Sequence, residues 1–122
     1  MLGQSLVIVG VNVAGITSKI DSFDKLIFHI KPSVWMMQET KRKQSSPKLT
    51  SPNMINYQIF ELRRNKTKTD GGKGLNGGGL AIGVLHDLNP VLIRQGDDDC
   101  ECMSVQLTVE SEDIICVVGY GP

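Results

Sequence analysis

A chain of 122 residues, 40% hydrophobic and 21% charged, is one domain at most and long enough to bury a core. No apolar run reaches the roughly 18 residues that span a bilayer, and Met1-Leu2-Gly3-Gln4-Ser5 lacks the basic flank of a signal peptide, so an intracellular, reducing setting without a membrane partner is expected. The net charge of zero excludes a uniformly basic or acidic protein but conceals two blocks: nine bases against two acids from Lys41 to Lys73, and eight acids against one base from Asp87 to Asp113.

In chain order, Leu6 to Val13 is a continuous β-branched run that reads as a buried strand, interrupted near its end by Asn12. Residues 14–18 form a turn. Ser18 or Asp21 could then cap a helix whose apolar face is Phe23, Leu26, Ile27 and Ile30, and Pro32 ends that helix by forcing Lys31 out of the helical region. A second strand follows at once. Its apolar residues run from Val34 to Met37 and stop at Gln38-Glu39-Thr40, the pattern of a strand that delivers a carboxylate to a sheet edge. Strand, helix and strand in this succession place Asn12 and Glu39 at the same C-terminal edge of neighbouring strands. Glu39 could hold a hard cation such as Mg²⁺, with Lys41, Arg42 and Lys43 beside it for a phosphate backbone; a solvated strand-end glutamate is the plainer alternative.

Residues 40–53 are rich in Ser, Pro, Lys and Gln and read as a surface loop without apolar period. Residues 55–62 alternate as a strand with one buried face, and 63–78 form a segment rich in Lys and Gly. The glycines do not make a nucleotide loop: Gly71-Gly72-Lys73-Gly74 has no Walker spacing, and Gly77-Gly78-Gly79 precedes a strand where a phosphate loop precedes a helix. Four more strands are predicted at Leu80 to Leu85, Val91 to Arg94, Met103 to Val109 and Ile114 to Val118, with hairpins as the simplest links. Cys100, Cys102 and Cys116 match no zinc spacing and read as strand residues. The expected fold class is α/β, with a mixed, largely antiparallel sheet and one main helix. One helix cannot cover both faces of a sheet of about seven strands, so the chain is expected to be part of a larger domain.

The ordered set Asn12-Val13-Ala14-Gly15, Gln38-Glu39-Thr40-Lys41, Gly77-Gly78-Gly79-Leu80-Ala81-Ile82 and Gly119-Tyr120-Gly121-Pro122 resembles the N-terminal half of the endonuclease/exonuclease/phosphatase superfamily. Within it the sequence is most similar to the apurinic-like endonuclease domain of non-LTR (LINE-type) retrotransposons. The resemblance implies that residues 1–122 form one half of a four-layer α/β sandwich. It also implies a Mg²⁺-dependent (or Mn²⁺-dependent) DNA endonuclease that nicks a target for retrotransposition, in a parent protein of the nucleus. Glu39 would bind the single metal, Asn12 would orient the scissile phosphate or a metal-bound water, and the Tyr120 hydroxyl would contact the phosphate. Lys41, Arg42, Lys43, Arg63, Arg64, Lys66, Lys68 and Lys73 would face DNA.

The sequence departs from the family at Ala14, where relatives carry Asn or Asp, and the family's later catalytic motifs, including its base, would lie beyond Pro122. His29 and His86 occupy no family motif. The chain is therefore expected to be inactive alone, with an apolar sheet face that a second copy or a missing C-terminal half would cover. Two alternatives stay open: a non-catalytic nucleic-acid-binding module derived from such a nuclease, and a superfamily member acting on a phosphoinositide or another phosphoester.

Overall fold

The computed structural model describes residues 5–63, 78–96 and 101–120. Among the described residues the strands are β1 (Ile8–Asn12), β2 (Val34–Gln38), β3 (Tyr57–Leu62), β4 (Leu80–Leu85), β5 (Val91–Gln95), β6 (Glu101–Val109) and β7 (Glu112–Tyr120), and the one α-helix is α1 (Ile20–Ile30). The class is α/β with one main helix and largely antiparallel pairing, as expected.

The strands do not form one sheet. They divide into a four-stranded sheet of order β1-β2-β4-β3, in which only β1 and β2 run parallel, and an antiparallel three-stranded sheet of order β5-β6-β7. This corrects the expectation of a single sheet of about seven strands. The reason lies in β4, whose apolar run Leu80 to Val84 is buried on both faces. One face, with Trp35, Met37 and Ala81, meets Phe23 and Ile27 of α1. The opposite face, with Val34, Leu80, Ile82 and Val84, packs on Met103, Val105, Leu107, Cys116 and Val118 of the second sheet. Helix, sheet and sheet thus stack as three layers around two apolar cores.

Three sequence expectations are revised by neighbours the chain acquires on folding. β1 is an edge strand, with Ile8 and Gly10 exposed, because among the described residues it pairs only with β2. α1 has no side-chain cap: a 3-10 turn at Thr17–Lys19 leads into it, and the helix closes on Lys31 in the left-handed region at φ 52°. The segment after Thr40 is no simple surface loop, since Leu49 and Arg42 are buried. Asp24 of α1 pins it by accepting hydrogen bonds from the Ser51 hydroxyl, from the Asn53 amide at 2.8 Å and from Asn53 Nδ2 at 2.8 Å.

Candidate functional site

The parallel pairing of β1 with β2 sets Asn12 directly against Gln38, so both strands end at one edge of the first sheet. The turn after β1 is stitched to the segment after β2. Val13, Gly15 and Ile16 donate their amides to the carbonyls of Gln38, Glu39 and Thr40 at 3.0, 2.7 and 3.1 Å. Asn12 Oδ1 accepts the Ala14 amide at 3.1 Å, which leaves its side-chain amide group on an exposed residue. Glu39 is partly exposed and its backbone sits at φ 56°, a left-handed conformation that costs a β-carbon-bearing residue roughly 1 kcal/mol or more.

Across from it lies the turn that enters β4. Gly78 and Gly79, at φ 89° and 92°, present carbonyls that accept the amides of Lys41 at 2.9 Å and Thr40 at 3.1 Å. Gly79 also lies against Thr40 Oγ1, which is buried and has no hydrogen-bond partner among the described residues. The second sheet reaches the same edge. Gln38 Nε2 donates to the Gly119 carbonyl, and Glu101, paired in register with Tyr120, accepts the Gly79 amide. Burial pushes the Glu101 carboxyl above its ordinary value, and the Gly79 hydrogen bond opposes that shift only in part.

The fold therefore gathers Asn12, Glu39 and the backbone of Tyr120 at one edge and adds Gln38, Thr40 and Glu101, none of which stood out in the sequence as a site residue. Gln38 was legible as the polar end of an apolar run and as part of the motif around Glu39, without a role of its own. Glu101 was indistinguishable from its acidic neighbours Asp97 to Asp99, because only the sheet-to-sheet packing brings it to Gly79.

The expected basic surface changes more. Lys41 and Lys43 are exposed. Arg42 is not: its side chain is 3% exposed, Nε pairs with Glu61 at 2.5 Å, and its guanidinium also donates to the Pro47 carbonyl. Arg63 reaches Glu61 at 3.3 Å and the carbonyls of Gln44 at 3.1 Å and Pro47 at 3.3 Å. Burial and internal partners thus remove Arg42 from any contact with a polyanion, and Arg63 is committed largely to holding the segment after β2. Arg64, Lys66, Lys68 and Lys73 lie outside the described residues.

The histidines are placed elsewhere. His86 follows the end of β4 opposite to Gly79, with Nε2 at 3.2 Å from the Ile55 carbonyl, and His29 lies edge-on to Phe28 near the end of α1. Among the described residues no group of three or more His, Cys, Asp or Glu side chains is placed to hold a metal ion. A hydrated Mg²⁺ needs only one or two protein carboxylates, whereas an all-protein cage needs more donors than the described residues bring together.

No family profile matches the sequence, and no curated protein matches it. Solved structures do. An AP endonuclease from Archaeoglobus fulgidus is 23% identical, aligned over 91% of this chain and 40% of its own, with a TM-score of 0.56. A 3′ phosphatase from Neisseria, bound to product DNA hairpin, is 19% identical over 91% of this chain and 40% of its own, with a TM-score of 0.58. The AP endonuclease LMAP from Leishmania major is 15% identical over 98% and 44%, with a TM-score of 0.67. Identities this low show the fold. The chain has the fold of endonuclease/exonuclease/phosphatase proteins and spans less than half the length of these three structures.

Proposed function

We propose that this chain carries the metal-binding half of a phosphodiesterase site that acts on DNA, as the N-terminal part of a nuclease-like domain. The observation that supports it most is the meeting of Asn12, the strained Glu39 and the register position of Tyr120 at one edge. Glu39 would hold a divalent cation, which when bound supplies positive charge against the charge that develops on the phosphate. Asn12 offers its side-chain amide to a phosphate oxygen or a water. Lys41 and Lys43 attract the DNA backbone, a contact that needs only charge and reach. Hydrolysis also needs a group that takes the proton of the attacking water, and neither His29 nor His86 sits at this edge. The chain alone should bind DNA without cutting it. The finer assignment, target nicking for retrotransposition, is supported by the motif resemblance to LINE-type endonucleases.

A non-catalytic nucleic-acid-binding module is the second reading, favoured by the small donor set around Glu39. Filter retention of duplex DNA separates the two. Both predict binding that falls steeply with ionic strength; the metal-centred site predicts a further loss with EDTA or Glu39→Gln, and the binding module predicts indifference to both. Nicking of supercoiled plasmid by the folded chain, dependent on Mg²⁺ and lost in Glu39→Ala, would show that the site completes itself.

A further inference from the structure

Glu39 is held between two backbone turns, and the two are secured differently. The turn after β1 belongs to the same sheet and is tied by three amide hydrogen bonds, including Gly15 to the Glu39 carbonyl at 2.7 Å. The Gly78-Gly79 turn grips the following residues, Thr40 and Lys41, and is itself met from the other sheet by Glu101. We infer that Glu101 is a positioning residue of the edge site: its carboxylate latches the Gly78-Gly79 turn across the gap between the sheets, and the turn in turn fixes the peptide that carries Glu39. The inference rests on the reading of Glu39 as a cation ligand.

The fit around Glu101 is close. It accepts the Gly79 amide through Oε1, while a Cβ added at Gly78 would stand 2.8 Å from its Oε2 and 3.3 Å from its Oε1. At Gly79 an added Cβ would meet Thr40 Oγ1 and approach the Lys41 amide to 3.2 Å. Both glycines also have φ near +90°, so this turn admits no side chain at either position. Gly79 is buried, and its amide would be left unsatisfied without an acceptor. A glutamate side chain is long enough to bring an acceptor oxygen to that amide from the second sheet, at the place where the backbone bends to present Glu39. Glu39 and Lys41 both adopt positive φ, 56° and 57°, on either side of the buried Thr40. Such a bend persists only where its surroundings enforce it. Glu101 supplies that enforcement from outside the first sheet.

The test uses the isotopically labelled chain with Mn²⁺ alone as the probe, read by paramagnetic broadening of the Asn12, Gln38 and Gly79 amide signals. Glu101→Asp keeps the charge but is one methylene too short for the Gly79 amide; Glu101→Gln keeps the reach and an acceptor oxygen without the charge. Expected are a loss of Mn²⁺ affinity on the order of tenfold and faster hydrogen exchange at Gly79 in Glu101→Asp, with Glu101→Gln retaining most of both. Mn²⁺ affinity in Glu101→Asp equal to wild type would overturn the positioning role, whatever happens to Gly79 exchange. Loss in Glu101→Gln with retention in Glu101→Asp would overturn it too, because charge and not reach would then matter. Glu39→Ala separates the two levels: if that variant keeps its Mn²⁺ binding, the metal reading of Glu39 fails and the positioning role falls with it.

Discussion

Asp24 shows how one side chain can hold a long segment in place. Burial acts to raise its carboxyl, and the hydrogen bonds from Ser51 and Asn53 outweigh it, so the group titrates below the ordinary carboxylate value. A depressed folded pKa contributes stability that is present above the unfolded value and lost as pH falls through the folded one. Asp24→Ala should therefore cost about 1 to 2 kcal/mol in urea denaturation at neutral pH, and the difference from wild type should shrink in acid. An undiminished difference at low pH would contradict this. Arg42 makes a second case. Removing one partner of its buried pair with Glu61 leaves the other uncompensated, so Arg42→Ala should cost about 3 kcal/mol while leaving the DNA affinity of the folded fraction unchanged. Neither residue was readable from sequence. The placement of Asn12 and Glu39 at one edge was, because each ends an apolar run whose strand partner is local. Arg42 sits in a basic run that looks like a phosphate contact until folding brings Glu61, on β3, against it.

Among the elements, β2 and β4 carry the architecture. Trp35 of β2 lies opposite Gly83 of β4, and a Cβ at Gly83 would collide with the indole. The ring stacks edge-on with Phe23 at 5.3 Å and Tyr57 at 5.9 Å, joining α1, β2 and β3. Tyr57 donates its hydroxyl to the Pro32 carbonyl at 2.6 Å and closes the far end of this layer. Gly83→Ala should cost about 2 kcal/mol by overpacking and lower the thermal midpoint; an unchanged midpoint would show that the indole can move. The strands themselves were legible from alternation and β-branched runs. Their division into two sheets was not, since periodicity gives a strand its faces but does not say which strands it will pair with. The continuous apolar run of β4 was the available signal, because burial on both faces calls for a layer on each side.

For the molecule as a whole, one open side lies between the edge strands β1 and β7. Among the described residues β1 pairs only with β2, and β7 only with β6. Between these strands lies a cleft of about 280 Å³ lined by Gly10, Val11, Met36, Gln38, Val117, Val118 and Gly119. Val91, Ile115 and Val117 remain exposed on the second sheet. Apolar strand surface beside free edges favours association, so the chain should sediment as a dimer or larger assembly at micromolar concentration, and Ile115→Lys with Val117→Lys should shift it toward the monomer. A folded wild-type monomer would contradict that expectation. The central claim, that the edge shared by β1 and β2 is a cation and phosphate site built on Glu39, is tested most directly by titrating Mn²⁺ into the labelled chain and into Glu39→Ala. The account predicts selective broadening at Asn12, Gln38 and Gly79 in the wild type and none in the variant. Broadening that is spread over the acidic surface, or that survives Glu39→Ala, would contradict it.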